Sequence, residues 1–206
     1  MPTAADKSQS ASFLPPNYKV PQTGGRYMKF LPGENRFRIL SSPILGNELW
    51  IAKKPVMKPL DVPFTREELE NADTNVDGTP RTPKHFWAMP VLDYKDKAVK
   101  VLEITQATIQ SAIKDLAADP DWGSPTGYDL VVSRQGEGMN TEYGVIPKPA
   151  KPLPDAAKEL WDRAVEEGFS LEALFDGGDP FVPEAPVPVK AVPAPEEEIN
   201  IDDIPF

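Results

Sequence analysis

Apolar and polar residues alternate with a period of two in RFRIL, where Arg36 and Arg38 fall on one side and Phe37 and Ile39 on the other. That is the pattern of a half-buried strand with a basic outer face. Strand-like runs recur at PILGNELWIA, with a turn expected at Gly46-Asn47, and at HFWAMPVLDY, AVKVLEIT, YDLVVSR and TEYGVI. Lys95-Asp96-Lys97 and Gly136-Glu137-Gly138 separate two pairs of these runs and read as hairpin connections, which makes the neighbours antiparallel.

Twice the period changes to that of a helix. After Thr105, which reads as an N-cap, Ile109, Ile113 and Leu116 form an i, i+4, i+7 stripe. From about Asp155, residues Ala157, Leu160, Trp161, Ala164 and Val165 share a face; Gly168 ends this helix, and SLEALF adds a further turn. A short helix, FTREELENA, is expected within a long inserted loop from Lys53 to Lys84. Short strands interrupted by one helix predict an all-β fold with a few helices. The best fit is a five-stranded OB-fold barrel with an inserted loop and a C-terminal helix, followed by a disordered tail.

The ends read differently. Met1 to Ser12 is small and polar with no periodicity, and from Gly177 onward proline alternates with small apolar residues that have no core to join. The expected division is a flexible arm at 1–17, the barrel at 18–151, a helical appendage at 152–176 and an acidic, Pro-rich, disordered tail at 177–206.

Charge sharpens that division. The formal net charge is -10, yet Met1 to Lys151 carries 19 Lys and Arg against 18 Asp and Glu. Pro152 to Asp176 carries 2 against 7, and Gly177 to Phe206 carries 1 against 7. The acidic excess therefore belongs to the end of the chain, and the barrel is near neutral with room for basic patches.

Most catalytic chemistry finds no residues here. There is no cysteine, which excludes disulfides, thiolate metal sites and cysteine nucleophiles, and His85 is the single histidine, too few for a histidine triad or a multi-histidine metal site. Gly24-Gly25 lacks the Gly-Lys-Ser/Thr of a phosphate loop. Asp73-Thr74-Asn75-Val76-Asp77-Gly78 begins like an EF-hand loop, but Lys84 falls where the bidentate glutamate is required, and Pro80 and Pro83 block the exiting helix. No catalytic residue, cofactor or metal is expected. With neither a leader pattern nor 18 consecutive apolar residues, a soluble, cytoplasmic protein is expected.

What the strand regions do contain is aromatic residues interleaved with basic ones. The candidate contacts to a nucleic-acid strand are Lys29, Arg36, Arg38, Trp50, Lys53, Lys54, Lys84, Phe86, Trp87, Tyr94, Arg134 and Tyr143. Exposed rings stack on bases and Lys and Arg follow the phosphates, which gives sequence-tolerant binding of single strands. Phe and Trp are also what a small barrel uses to fill its core, so part of this set is expected to be buried.

Two stretches resemble known families. EEEINIDDIPF resembles the acidic tip of bacterial single-stranded-DNA-binding proteins, and YMKFLPGENRFRIL, KHFWAMPVLDY, VKVLEITQATIQSAI and GEGMNTEYGV are similar to phage-type single-stranded-DNA-binding proteins with a gp32-like OB core. The second resemblance covers roughly Tyr18 to Pro147. It implies a barrel cleft that binds single strands through basic and aromatic residues, here Arg36, Arg38, Phe86 and Trp87. Some relatives hold a structural zinc, which this cysteine-free chain cannot reproduce.

The tail resemblance implies recruitment of replication, recombination and repair enzymes through Asp202, Asp203, Ile204, Pro205 and Phe206. Together the two imply a phage or prophage protein working in the host cytoplasm. An adaptor that captures such enzymes through its tip without binding nucleic acid is the rival reading. An enzyme on the same scaffold, such as a nuclease, is disfavoured by the lack of metal-ligand clusters.

Overall fold

The computed structural model describes residues 25–182. Within them the chain is mostly β-sheet with few helices. Eight strands form a single sheet: β1 (Tyr27–Met28), β2 (Gly33–Ile39), β3 (Ile44–Ile51), β4 (Lys54–Pro59), β5 (Lys84–Asp93), β6 (Ala98–Ile104), β7 (Asp129–Gln135) and β8 (Glu142–Pro147). The helices are α1 (Arg66–Glu70), α2 (Ala107–Ala118) and α3 (Asp155–Glu166), with a 3₁₀ turn at Leu171–Asp176.

Strand order is β1-β6-β5-β2-β7-β8, with β3 on the edge of β5 and β4 outside β3. Five of these strands, β6-β5-β2-β7-β8, with α2 between β6 and β7, are compatible with an OB-like arrangement. No described strand pair closes them into a barrel, and β1, β3 and β4 bring the count to eight rather than five. The two free margins approach one another at Phe30, whose carbonyl accepts from Arg134 Nη1 at 2.9 Å and whose ring lies 6.1 Å from that of Tyr143. The Tyr27–Phe30 segment thus occupies the seam between β6 and β8.

Both expected hairpins form: Asp93 pairs with Ala98 across Lys95-Asp96-Lys97, and Gln135 with Glu142 across Gly136-Glu137-Gly138. The turn expected at Gly46-Asn47 does not form, because Gly46 lies inside β3, paired with Phe86 on one side and Pro59 on the other. A Cβ at Gly46 would sit 2.4 Å from the Lys58 carbonyl and 2.8 Å from the Phe86 ring, so this glycine permits close approach rather than reversal. Gly46→Val is expected to lower stability by about 2–3 kcal/mol through overpacking, measured by urea unfolding.

The inserted segment after Lys53 contains β4 as well as the short helix. Thr65 caps α1 in a reciprocal arrangement with Glu68, and Lys58 reaches the same carboxylate at 2.7 Å. Asp73 and Asp77, the acids of the calcium-like motif, serve the loop instead: Asp73 accepts from the Lys53 N–H and Asp77 from Thr79.

β5 explains why part of the chain does not alternate. Its first half pairs with β3 and its second with β2 along one edge, and Pro90 sits at the change-over, its carbonyl accepting from the Leu40 N–H. That gap in the ladder tolerates a residue without an N–H. One face of the sheet packs Phe37, Met89, Val91, Leu102, Leu130 and Val132 against Ile109 and Ile113 of α2. The opposite face packs Phe86, Ala88 and Val101 against Leu171 and Leu174. Buried on both faces, β5 reads as a nearly continuous apolar run.

α2 begins one turn position later than expected: Gln106, not Thr105, is its N-cap, without a side-chain hydrogen bond. In α3, Ala157 is buried and Trp161 meets Phe169 edge-on at 5.3 Å, while Leu160 and Val165 of the expected apolar face are exposed. The packing continues past Gly177: Pro180 is buried, and Asp179 pairs with Arg26 at 2.7 Å. The arm at 1–17 and the tip residues Asp202–Phe206 lie outside the described residues.

Candidate nucleic-acid interface

β2 carries the residue pair from which the candidate surface was built, and its two arginines part company. Arg36 is exposed, whereas Arg38 retains 2% side-chain exposure. Both grip Asp129, the wholly buried first residue of β7, brought opposite Arg38 by the antiparallel register. Arg38 Nε donates to Asp129 Oδ1 at 2.8 Å, and its Nη1 donates to the carbonyl of Lys151 at 3.1 Å. Arg36 Nε and Lys151 Nζ approach Oδ2 at 3.0 and 3.1 Å, and the Tyr94 hydroxyl donates to Oδ1 at 2.8 Å. Arg38 is therefore a structural residue and leaves the set of strand contacts: the polar face of β2 is covered where the chain returns after β8.

This cluster fixes its own protonation. Burial pushes the Asp129 carboxyl upward, but hydrogen bonds from Arg36, Tyr94 and Lys151 and the charge of Arg38 outweigh it and hold the group at about 2. Burial and the bond to Asp129 push the Tyr94 hydroxyl up to about 12, so it stays a donor. The Arg36 guanidinium lies 4.8 Å from the centre of the Tyr94 ring, which holds charge and ring side by side at the surface.

Arg36 and Tyr94 line a cleft of about 610 Å³ whose walls also include Tyr27, Lys29, Asn35, Lys95 and Lys100. Lys29 and Lys95 are exposed and form no ion pair among the described residues, whereas Lys100 is buried and paired with Asp93 at 2.8 Å and with Asp96. On the other side of the Tyr27–Phe30 segment lies a second cavity of about 360 Å³, lined by Tyr27, Lys29, Phe30, Gln106, Arg134 and Tyr143 among others. Five of the twelve candidates, Lys29, Arg36, Tyr94, Arg134 and Tyr143, thus gather along one seam.

The remaining candidates separate into two groups. Trp50, Lys53, Lys54 and Lys84 lie on the arm built by β3, β4 and the start of β5; the three lysines are exposed, and the Arg81 guanidinium lies 5.4 Å from the centre of the Trp50 indole. Phe86 is wholly buried against Phe175 and leaves the set, because the helical appendage covers its face of β5. Trp87 is half-buried and packs against the α2 core, donating its Nε1–H to His85 Nε2 at 3.0 Å. His85 in turn meets the Gly46 carbonyl through Nδ1 at 2.9 Å, so its role here is structural.

Lys95, Asp129 and Lys151 were not among the candidates. Asp129 was legible only as an acid opening an apolar run, since its partners depend on register. Glu103 is half-buried beside the buried Glu48: burial and then the Glu48 carboxyl push it up to about 7. The folded protein keeps a proton there that the unfolded chain releases above about 4.5, so stability falls as pH rises from about 4.5 to about 7 and levels off above it. Glu103→Gln is expected to gain about 1–3 kcal/mol at pH 8, after allowance for partial exposure, and nothing at pH 4.5; thermal unfolding at the two pH values checks this.

Exposed cations beside aromatic rings, along the open seam of a mostly-β sheet, define a surface able to hold a polyanion and to stack planar groups. Among known proteins the chain is similar to the probable ssDNA-binding protein of Escherichia phage T5, 26% identical over an alignment of 147 residues that covers 60% of this chain. The match covers 57% of the phage protein, less than two thirds of its length. No protein-family model and no solved structure matches the chain.

Proposed function

We propose that this chain binds and protects single-stranded DNA without sequence specificity during phage replication or recombination, and that it is not an enzyme. The observation that carries the reading is the gathering of Lys29, Arg36, Tyr94, Arg134 and Tyr143 on either side of Tyr27–Phe30. Similarity to a phage protein named for the same ligand supports it. Backbone phosphates run along Lys29, Arg36 and Lys95, and bases stack on the rings between them. The OB-like sheet supplies the platform, and the arm with Trp50, Lys53, Lys54 and Lys84 lengthens the track. The acidic tip, Asp202–Phe206, recruits replication, recombination and repair proteins in the host cytoplasm, and no cofactor takes part. Anisotropy of a labelled oligo-dT tests the reading. Saturable binding that unlabelled single strands compete away, and duplex of equal length does not, is expected. The absence of saturable binding overturns it and leaves the adaptor that works through the tip alone.

A further inference from the structure

The cavity in the seam has features that a phosphate track does not need. It lies between Leu102 and Gln106 on one side and Arg134 and Tyr143 on the other, where the sheet fails to close. Gln106 Oε1 and Arg134 Nε, from opposite walls, are covered and have no hydrogen-bond partner. A covered polar atom without a partner costs about 1–3 kcal/mol, and both residues line this cavity, so side-chain turns that carry these atoms to its wall let a ligand supply the missing bonds. One atom is an acceptor and the other a donor. Phe30 and Tyr143 add aromatic surface, with ring centres 6.1 Å apart.

We infer that this cavity is a slot for a single unstacked nucleobase, with Gln106 and Arg134 meeting its polar edge and Tyr143 its face. The inference rests on the proposed binding of single strands and deepens it. Every nucleobase carries hydrogen-bond donors and acceptors at several positions round its rim, so an acceptor on one wall and a donor on the other can each find a partner on the same base. A volume of about 360 Å³ admits one base with room for its sugar at the mouth. Gln106 and Arg134 are only half-buried, so small turns of their side chains bring Oε1 and Nε to the cavity wall as the base enters. Lys29 lines both this slot and the neighbouring cleft, which places a cation for the phosphate that joins the slotted nucleotide to the next one.

The test uses the full chain and the shortest oligo-dT that binds at full affinity, with one abasic position walked along it. One position is expected to lose about tenfold in affinity while the others lose about threefold or less. Gln106→Ala is expected to weaken binding of the intact oligonucleotide about fivefold and to erase the penalty at that position; Gln106 makes no capping hydrogen bond, so α2 keeps its start. Lys95→Ala, which changes only the cleft, is expected to weaken binding while the position-specific penalty remains. A uniform penalty along the strand, or one that survives in Gln106→Ala, overturns the slot and leaves the binding surface standing. Failure of every oligonucleotide to bind overturns both.

Discussion

Asp129→Asn is expected to lower the unfolding free energy by about 3–5 kcal/mol, the usual cost of removing one partner from a buried ion pair. The size follows from what is left behind. Arg38 is as buried as the carboxylate it serves, and no other acid among the described residues pairs with it. Arg36 and Lys151 lose the same partner but stay exposed to water and contribute little. The wild-type protein should show the same dependence in its pH profile. A carboxyl held at about 2, below its ordinary 3.8, stabilises the fold fully above about pH 4, and that contribution is lost as pH falls from there to about 2. Urea unfolding of both proteins at pH 7 and pH 3 checks this, with the variant flatter over the acid range. Equal stability of the two at pH 7 would show that the cluster does not hold β2, β7 and the chain after β8 together.

The second large effect is on binding. Lys29→Ala, Arg36→Ala and Lys95→Ala combined should lower affinity for oligo-dT about a hundredfold at low salt, because three phosphate contacts and the counterions they release are lost together. The fold should persist, since all three residues are exposed and Arg38 keeps its grip on Asp129. Lys53→Ala, Lys54→Ala and Lys84→Ala combined, on the arm, should cost about tenfold or less. If the arm variant were the weaker binder, the track would run along β3 and β4 instead of the seam. Replacing Arg36 and Arg38 together is a poor probe, because any loss of binding would report the loss of the fold.

Much of this architecture was legible in the sequence. A period-two run located β2, strand-like runs between turn signals located β3, β5, β6, β7 and β8, Lys95-Asp96-Lys97 and the glycines at 136 and 138 located two hairpins, and the helical stripes located α2 and α3. What stayed hidden was how many faces each strand buries. Alternation shows that a side chain leaves the core, not that it reaches water, so Arg38 read as a surface contact although the returning chain covers it. Phe86 failed for the same reason: the Leu171–Asp176 turn lies far along the chain, and nothing local announces that it covers β5. Gly46 was ambiguous because a glycine that permits close approach and one that permits a turn look alike without the neighbouring strand. The cluster at the seam was easier to find. Lys29, Arg36, Tyr94, Arg134 and Tyr143 stood out as charge beside aromatic, whereas Gln106 and Asp129 matter only through partners that the topology supplies.

The most direct test of the central claim, that the seam holds the phosphate backbone of a single strand, is the salt dependence of oligo-dT binding by the wild-type chain and by the triple variant of Lys29, Arg36 and Lys95. These are the three exposed cations that the proposed function sets against phosphates at the seam. At about 0.7 released counterions per phosphate contact, the plot of log affinity against log salt should slope clearly downward for the wild type and be shallower by about 2 for the variant, which has lost three contacts. A slope near zero for the wild type, or equal slopes for the two proteins, would contradict the account.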